Sequence, residues 1–352
     1  STGQEMTVLW AKMQQAHLPL ALDVLADMLR NSLLALDEVE KERRVILEEI
    51  SSSQDIPEEL VNLALHELTW PGHALGWDVA GTPESVRGLS RDGLIQFLQQ
   101  HYGPRNTEIS VAGDVVHQQV VDLANSLLGD WQSAAAPGFA AAPVNGAGPH
   151  VALINKKVEQ THLALHLPGL ARDQEDRFIL ALLNVILGEG LSSRLFLEVR
   201  ERLGLAQAVE SYVSHLADTG VTGVYAAVAP DRAPEALSAI LAQLQRLRDE
   251  PVDDKTLRSA KEFVKGRLLL GLEDTMAVSG WFGRQEAVGS AHLTVEQIIE
   301  RIAHIDAADL QRIARQIFRS GQSHLAIVGP HTRRDEARFK ALLASGLLAA
   351  DE

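Results

Sequence analysis

The sequence predicts an α+β protein of two related domains, each an α/β sandwich with helices packed on one face of a mainly antiparallel sheet. Three observations carry this. Short β-rich runs are mixed with amphipathic helical runs rather than segregated from them. The same order of elements is met twice along the 352 residues. A run of small residues with Pro and Gly, SAAAPGFAAAPVNGAG from Ser133 to Gly148, separates the two copies and cannot bury a core. The chain is therefore divided into a first domain over 1–132, a linker over 133–149 and a second domain over 150–352.

The two copies align at a nearly constant shift. AHLPLALDVLADMLRNSLLALDEVEKE from Ala16 matches DRAPEALSAILAQLQRLRDEPVDDKTL from Asp231, with Pro19 over Pro234 and Leu22 over Leu237. LSRDGLIQFLQQHYGPRNTEISVAGD from Leu89 matches IDAADLQRIARQIFRSGQSHLAIVGP from Ile305, with Leu94 over Leu310 and Gly113 over Gly329. The offset is roughly 216 residues throughout. Each copy reads as a strand (MTVLWAKM; TGVYAAVA), helices beginning near a Pro, and a closing strand (TEISVAGDV; SHLAIVGP). The second copy is preceded by two further strands, HVALINKKV and THLALHLPG, and the helix QEDRFILALLNVILG. By the same offset their counterparts fall before Ser1, so the first domain is expected to be incomplete by roughly 66 residues.

Composition narrows the function. A hydrophobic content of 46% and a charged content of 22% fit an ordinary globular chain, and a net charge of −15 argues against a nucleic-acid partner, which needs clustered Lys and Arg. No apolar run approaches the roughly 18 residues of a membrane span. The absence of cysteine removes disulfides, thiolate metal sites and Cys nucleophiles together.

The stretch VEKERRVILEEI, Val39 to Ile50, carries the chemistry worth weighing. Asp37 and Glu40 have the spacing of a capping box, which starts the helix there. Glu42 and Glu49 are two turns apart and project from nearly one face, with Glu48 about 100° away. The bland reading is a solvated face, with Glu48 and Arg44 as an exposed pair and the apolar residues turned to the sheet. The sharp reading is part of a metal site. Among the thirteen histidines, His66 and His73 have no helical His partner four residues on, and His162 and His166 have that spacing only within a strand-like run.

DEVEKERRVILEEI, with AHLPLALDVLADMLRNS before it and WPGHALGWDVAGTPESV after it, resembles the first domain of the pitrilysin/insulinase family, the inverted-motif zinc metallopeptidases, in its bacterial processing-protease-like branch. VEQTHLALHLPGLARDQEDRFILALLNVILGEGLSSRLFLEVRERLGLA is similar to the family's second domain, so the likeness runs the whole chain. The resemblance implies that Glu49, the second Glu of ILEE, is the third zinc ligand, and that Glu42 supports the metal-bound water and the ligand geometry. Three protein ligands and one water are what a catalytic zinc takes, with a separate Glu as general base. The two His ligands and that base come from H-x-x-E-H. The motif does not occur in these residues, and in the family it lies upstream of the MTVLWAKM strand.

In the second domain, the resemblance implies an Arg and, seven residues later, a Tyr that hold substrate and help stabilise the tetrahedral intermediate. Arg200 stands at the first position and Gln207 at the second, in VRERLGLAQAV. Arg200 also reads simply as a surface charge paired with Glu198 or Glu201. Gly188 and Gly190 of LGEGLSSRLF match a glycine-containing turn, and no P-loop Lys-Ser/Thr accompanies them. The expectation is a zinc metalloendopeptidase subunit acting on unfolded peptides in an enclosed chamber, dimeric with itself or with a family-related subunit and inactive as these residues stand. The rivals are a non-catalytic partner subunit or docking scaffold, and a module binding extended peptides at a sheet edge.

Overall fold

The computed structural model describes residues 1–132, 138–143, 149–289 and 291–347, and most of the predicted linker lies outside the described residues. In chain order the elements are α1 (Leu18–Arg30), α2 (Leu36–Asp55), α3 (Pro57–Thr69), α4 (Pro83–Gly88), α5 (Arg91–His101), α6 (His117–Leu128), β1 (His150–Asn155), β2 (Thr161–Pro168), α7 (Arg177–Gly188), β3 (Ala206–His215), β4 (Gly220–Val228), α8 (Ala233–Asp249), α9 (Asp254–Gly271), α10 (Thr275–Ala287), α11 (Val295–His304), α12 (Ala307–Ile317), β5 (His324–Gly329) and α13 (Arg333–Gly346). The repeat is kept helix by helix. Shifted by roughly 216 residues, α5 falls on α12, α6 on α13 and α3 on α10.

Two compact units are interleaved along the chain. One comprises Ser1–Ser51, Val79–Ala140 and Leu268–His292; the other comprises Ser52–Asp78, Ala141–Arg267 and Leu293–Glu352. The equivalent helices α3 and α10 are thus exchanged, each joining the unit built mainly from the other half of the sequence.

The second unit is a five-stranded sheet in the order β1-β5-β2-β4-β3. Only β1 and β5 pair in parallel; every other pair is antiparallel. The central strands β4 and β5 are buried along their whole length, which is why TGVYAAV and HLAIVG read as nearly unbroken apolar runs. On one face α3 inserts Val61 and Leu65 against Ala164, Tyr225, Ala227, Ala326 and Val328. On the other, reached by the alternate residues Leu163, Leu165 and Leu167, the sheet meets α7, α8 and α13.

Along the α3 face the register lines up one transverse row. His150 pairs with His324, His324 with His166, His166 with Gly223, and Gly223 with Tyr212. Gly223 is required there, since a Cβ would run into the Tyr212 ring that lies over it. That gap lets the Tyr212 hydroxyl reach Nε2 of His166 at 2.9 Å.

The first unit is helical. Arg30 of α1 donates to the Leu127 carbonyl at 2.6 Å and to Asp130 at 2.7 Å, and Arg91 donates to the carbonyls of Leu34 and Leu33 at 2.7 and 3.1 Å. Ser110 and Ser279 each donate to the other's carbonyl at 2.8 Å, which ties α10 to the segment before α6. The sheet expected in the first half is not formed. MTVLWAKM contributes to one isolated bridge, Thr2 to Thr7, and TEISVAGDV has no strand partner among the described residues. The physical reason is pairing: the second-half equivalents, β4 and β5, each sit between two strands drawn from β1, β2 and β3, and no residue of the sequence corresponds to those three by the same offset.

Candidate functional site

Helix α2 is amphipathic as its sequence requires. Val39, Arg43, Ile46, Leu47, Ile50 and Ser53 form the inward stripe, with Ile50 fully buried. Glu42, Glu48 and Glu49 are all exposed. Val45 shares their side at 44% exposed, so it belongs to the outer face and not to the apolar stripe. Glu42 and Glu49 have no hydrogen-bond or ion-pair partner among the described residues.

Two local expectations are corrected. The helix begins at Leu36, so Asp37 lies in its first turn, where a carboxylate favours the positive end of the helix dipole, rather than at a cap. The pair Glu48 with Arg44 is not formed; the neighbouring Arg43 is the engaged guanidinium, bonded to Glu40 at 3.1 Å and to the carbonyls of Val86 and Leu89. That contact holds Glu40 below the usual carboxylate range. Arg43 wins because it lies on the inward stripe, within reach of backbone that Arg44 faces away from.

In the second unit Arg200 sits in a π-helical segment, Phe196–Arg202. Such wide turns recur at functional sites. Its guanidinium lies 4.9 Å over the Phe196 ring and 3.8 Å from Glu201, so the simple surface pairing is the one observed, while Glu198 is taken by Arg202. Gly204, at φ 58, turns the chain into β3. The register of β3 against β4 then slips between Ala206 and Ala208, which makes Gln207 the extra residue of a β-bulge, exposed and bonded to Gln160. Gly188 is needed for close packing, since a Cβ would meet the backbone nitrogen of Ser211 at 2.5 Å, and Gly190 takes φ 90.

A polar row, buried at Thr69 and His166, is marked in the sequence only by the spacing of His162 and His166. Thr69 Oγ1 donates to the Leu65 carbonyl at 2.7 Å and so must accept from Nδ1 of His166, 2.8 Å away. His166 is therefore the Nδ1–H tautomer, with Nε2 free to accept from Tyr212. The ring of His66 stands edge-on 5.3 Å from it. The signal was available: residues four apart on a strand share a face, so His162 and His166 had to point the same way.

A family model for the insulinases, peptidase family M16, matches residues 1–83, and one described as the peptidase M16 inactive domain matches residues 88–264. An uncharacterized zinc protease of Streptomyces coelicolor is 35% identical over 350 residues, spanning 97% of this chain and 76% of the relative. The chain belongs to peptidase family M16. Solved structures share its fold: a protease from Helicobacter pylori superposes with a TM-score of 0.85 at 23% identity, over 90% of this chain and 78% of that one. A chain of complex III2 from Candida albicans gives 0.80 at 18% identity, over 94% and 81%. No helix among the described residues of this M16 chain is long and apolar enough to cross a membrane.

Proposed function

We propose that this M16 chain is the part of a zinc metalloendopeptidase subunit that contributes one metal ligand, Glu49, and a supporting carboxylate, Glu42, within a first domain over 1–132. The observation that carries the reading is the pairing of those two partnerless, exposed carboxylates on one face of α2 with a likeness to a zinc protease that runs nearly the whole chain. The donors among the described residues do not complete a zinc site. Among the described residues no three His, Cys, Asp or Glu side chains converge to hold a metal. On this reading the two His ligands and the general base belong to an H-x-x-E-H helix outside these residues, and the 352 residues alone are inactive. The second domain, 150–352, contributes Arg200 and Gln207, both exposed, to hold an unfolded peptide in a closed chamber, and the working form is a homodimer or a heterodimer with a related subunit.

The test is zinc content and peptide hydrolysis of the complete gene product with Glu49→Gln, beside Glu48→Gln as control. Loss of both zinc and activity in the first variant, with neither lost in the second, is the expected result. Zinc retained in Glu49→Gln would remove the assignment.

A second reading, a non-catalytic partner or docking subunit, is favoured by Gln207 at the Tyr position and by the inactive-domain match over 88–264. It requires that the complete gene product bind a related subunit saturably and cleave no peptide with or without added zinc.

A further inference from the structure

Helix α3 is held on the sheet by an apolar patch with an imidazole cluster at its end. Val61 and Leu65 fill the patch, and Trp70, 1% exposed, closes it beside Leu216 and Val221. At that end His66 of α3 meets His166 of β2, whose other neighbour in the row is His324, itself stacked on His150 at 5.3 Å. His166 is fully buried and His324 is 3% exposed.

We propose that this cluster is an acid-sensitive latch: protonation of His66 and His166 releases α3 from the sheet, while the five strands and the helices on the opposite face stay folded. The inference concerns the second unit alone and stands apart from the peptidase reading.

The arrangement of charges sets the direction. From α3 the group facing His166 is His66, from β5 it is His324, and beyond that on β1 it is His150; β4 offers Gly223 and β3 the Tyr212 hydroxyl. The charges acting on His166 come from His66 and His324, so every proton added meets others of its own sign. The nearby carboxylates lie elsewhere: Glu58 acts on His162 and Tyr225, and Glu210 on Tyr212 and Tyr225. His66 bonds the backbone of Leu75, a contact too small to offset its burial. The hydrogen-bond chain adds a second constraint. With Nδ1–H committed to Thr69, a proton on Nε2 displaces the Tyr212 hydroxyl from its donor role.

Burial holds His66, His162 and His166 below the ordinary imidazole value and pushes His324 down to about 4. Above about pH 6.5 neither the docked nor the released state is protonated, and the latch is at full strength. As the pH falls through 6.5 toward the docked-state values, the released state takes up protons first, so docking weakens. Release is local because, among the described residues, α3 is the helix packed most extensively on its face of the sheet, whereas the opposite face is covered by α7, α8 and α13 together.

The test is hydrogen exchange of the protein at pH 7.5, 6.0 and 5.0, corrected for the intrinsic pH dependence of amide exchange. The amides of 57–69 are expected to lose protection about tenfold or more at pH 5.0, while those of β2 and β4 change less than about threefold. Equal loss in α3 and the strands, or no loss in α3, overturns the proposal. His66→Phe keeps a ring against Trp70 and His166 without a titrating group, and should move the midpoint of α3 release to lower pH; His66→Gln serves if the Phe variant does not fold. An unchanged midpoint in the folded variant also overturns it.

Discussion

Helices α5 and α12 occupy equivalent places in the two halves, have the same length and begin on equivalent caps, yet they live in different surroundings. Ser90 caps α5 by accepting from the Gly93 amide, and Asp306 caps α12 by accepting from the Asp309 amide. Helix α12 buries Leu310, Ile313, Ala314 and Ile317, packed on α8 and α7 in the unit that has a sheet; α5 buries nothing completely. The same contrast separates α8, with Leu237, Ile240, Leu241 and Leu244 among its buried residues, from α1, which buries Leu22 and Ala26. A helix is specified locally by its caps and its periodicity, but the worth of its apolar face depends on what covers it.

That contrast can be broken most directly in the two equivalent leucines. Leu310→Ala removes a side chain that is 0% exposed and should destabilise its unit by about 2–5 kcal/mol in urea unfolding. Leu94→Ala, at a half-buried position, should cost less than about 1 kcal/mol. Equal costs would mean that the first unit holds a packed core of its own. The caps should behave oppositely, because they act on backbone amides and not on the core. Ser90→Ala and Asp306→Ala should each cost about 0.5–2 kcal/mol, similar in both units, by the same unfolding measurement.

Smaller still is the exposed pair of Arg312 with Asp176, bidentate at 2.7 and 2.8 Å. Arg312→Ala should cost no more than about 1 kcal/mol, and less at high salt. Glu42→Gln and Glu49→Gln, with no partner to lose, should leave stability within about 0.5 kcal/mol of the parent. A larger loss would show these carboxylates to be structural and would weaken their assignment to a metal.

Much of the site was legible because its signals are local. The inward stripe of α2 and the outward placement of Glu42 and Glu49 follow from helical geometry within a few turns of chain, and Glu201, which pairs with Arg200, is its neighbour in sequence. The Gln207 bulge was not legible, since a bulge is a property of two strands and their register. The His row was half legible: spacing put His162 and His166 on one face, but the sequence could not say that β5 and β1 would bring His324 and His150 beside them.

The sequence by itself determined the repeat, the order of helices within it, the apolar character of the central strands and the membership in a family of zinc peptidases, because each is carried by the pattern of residues within short stretches of chain and needs no contact between distant ones. Tertiary structure alone decided that α3 and α10 change places between the units, that MTVLWAKM and TEISVAGDV form no strand of a sheet among the described residues, and that the His166 and His324 imidazoles lie buried side by side in the sheet. Strand pairing and helix docking are bargains between distant segments, and a segment with full β character forms no strand until another presents its backbone to it.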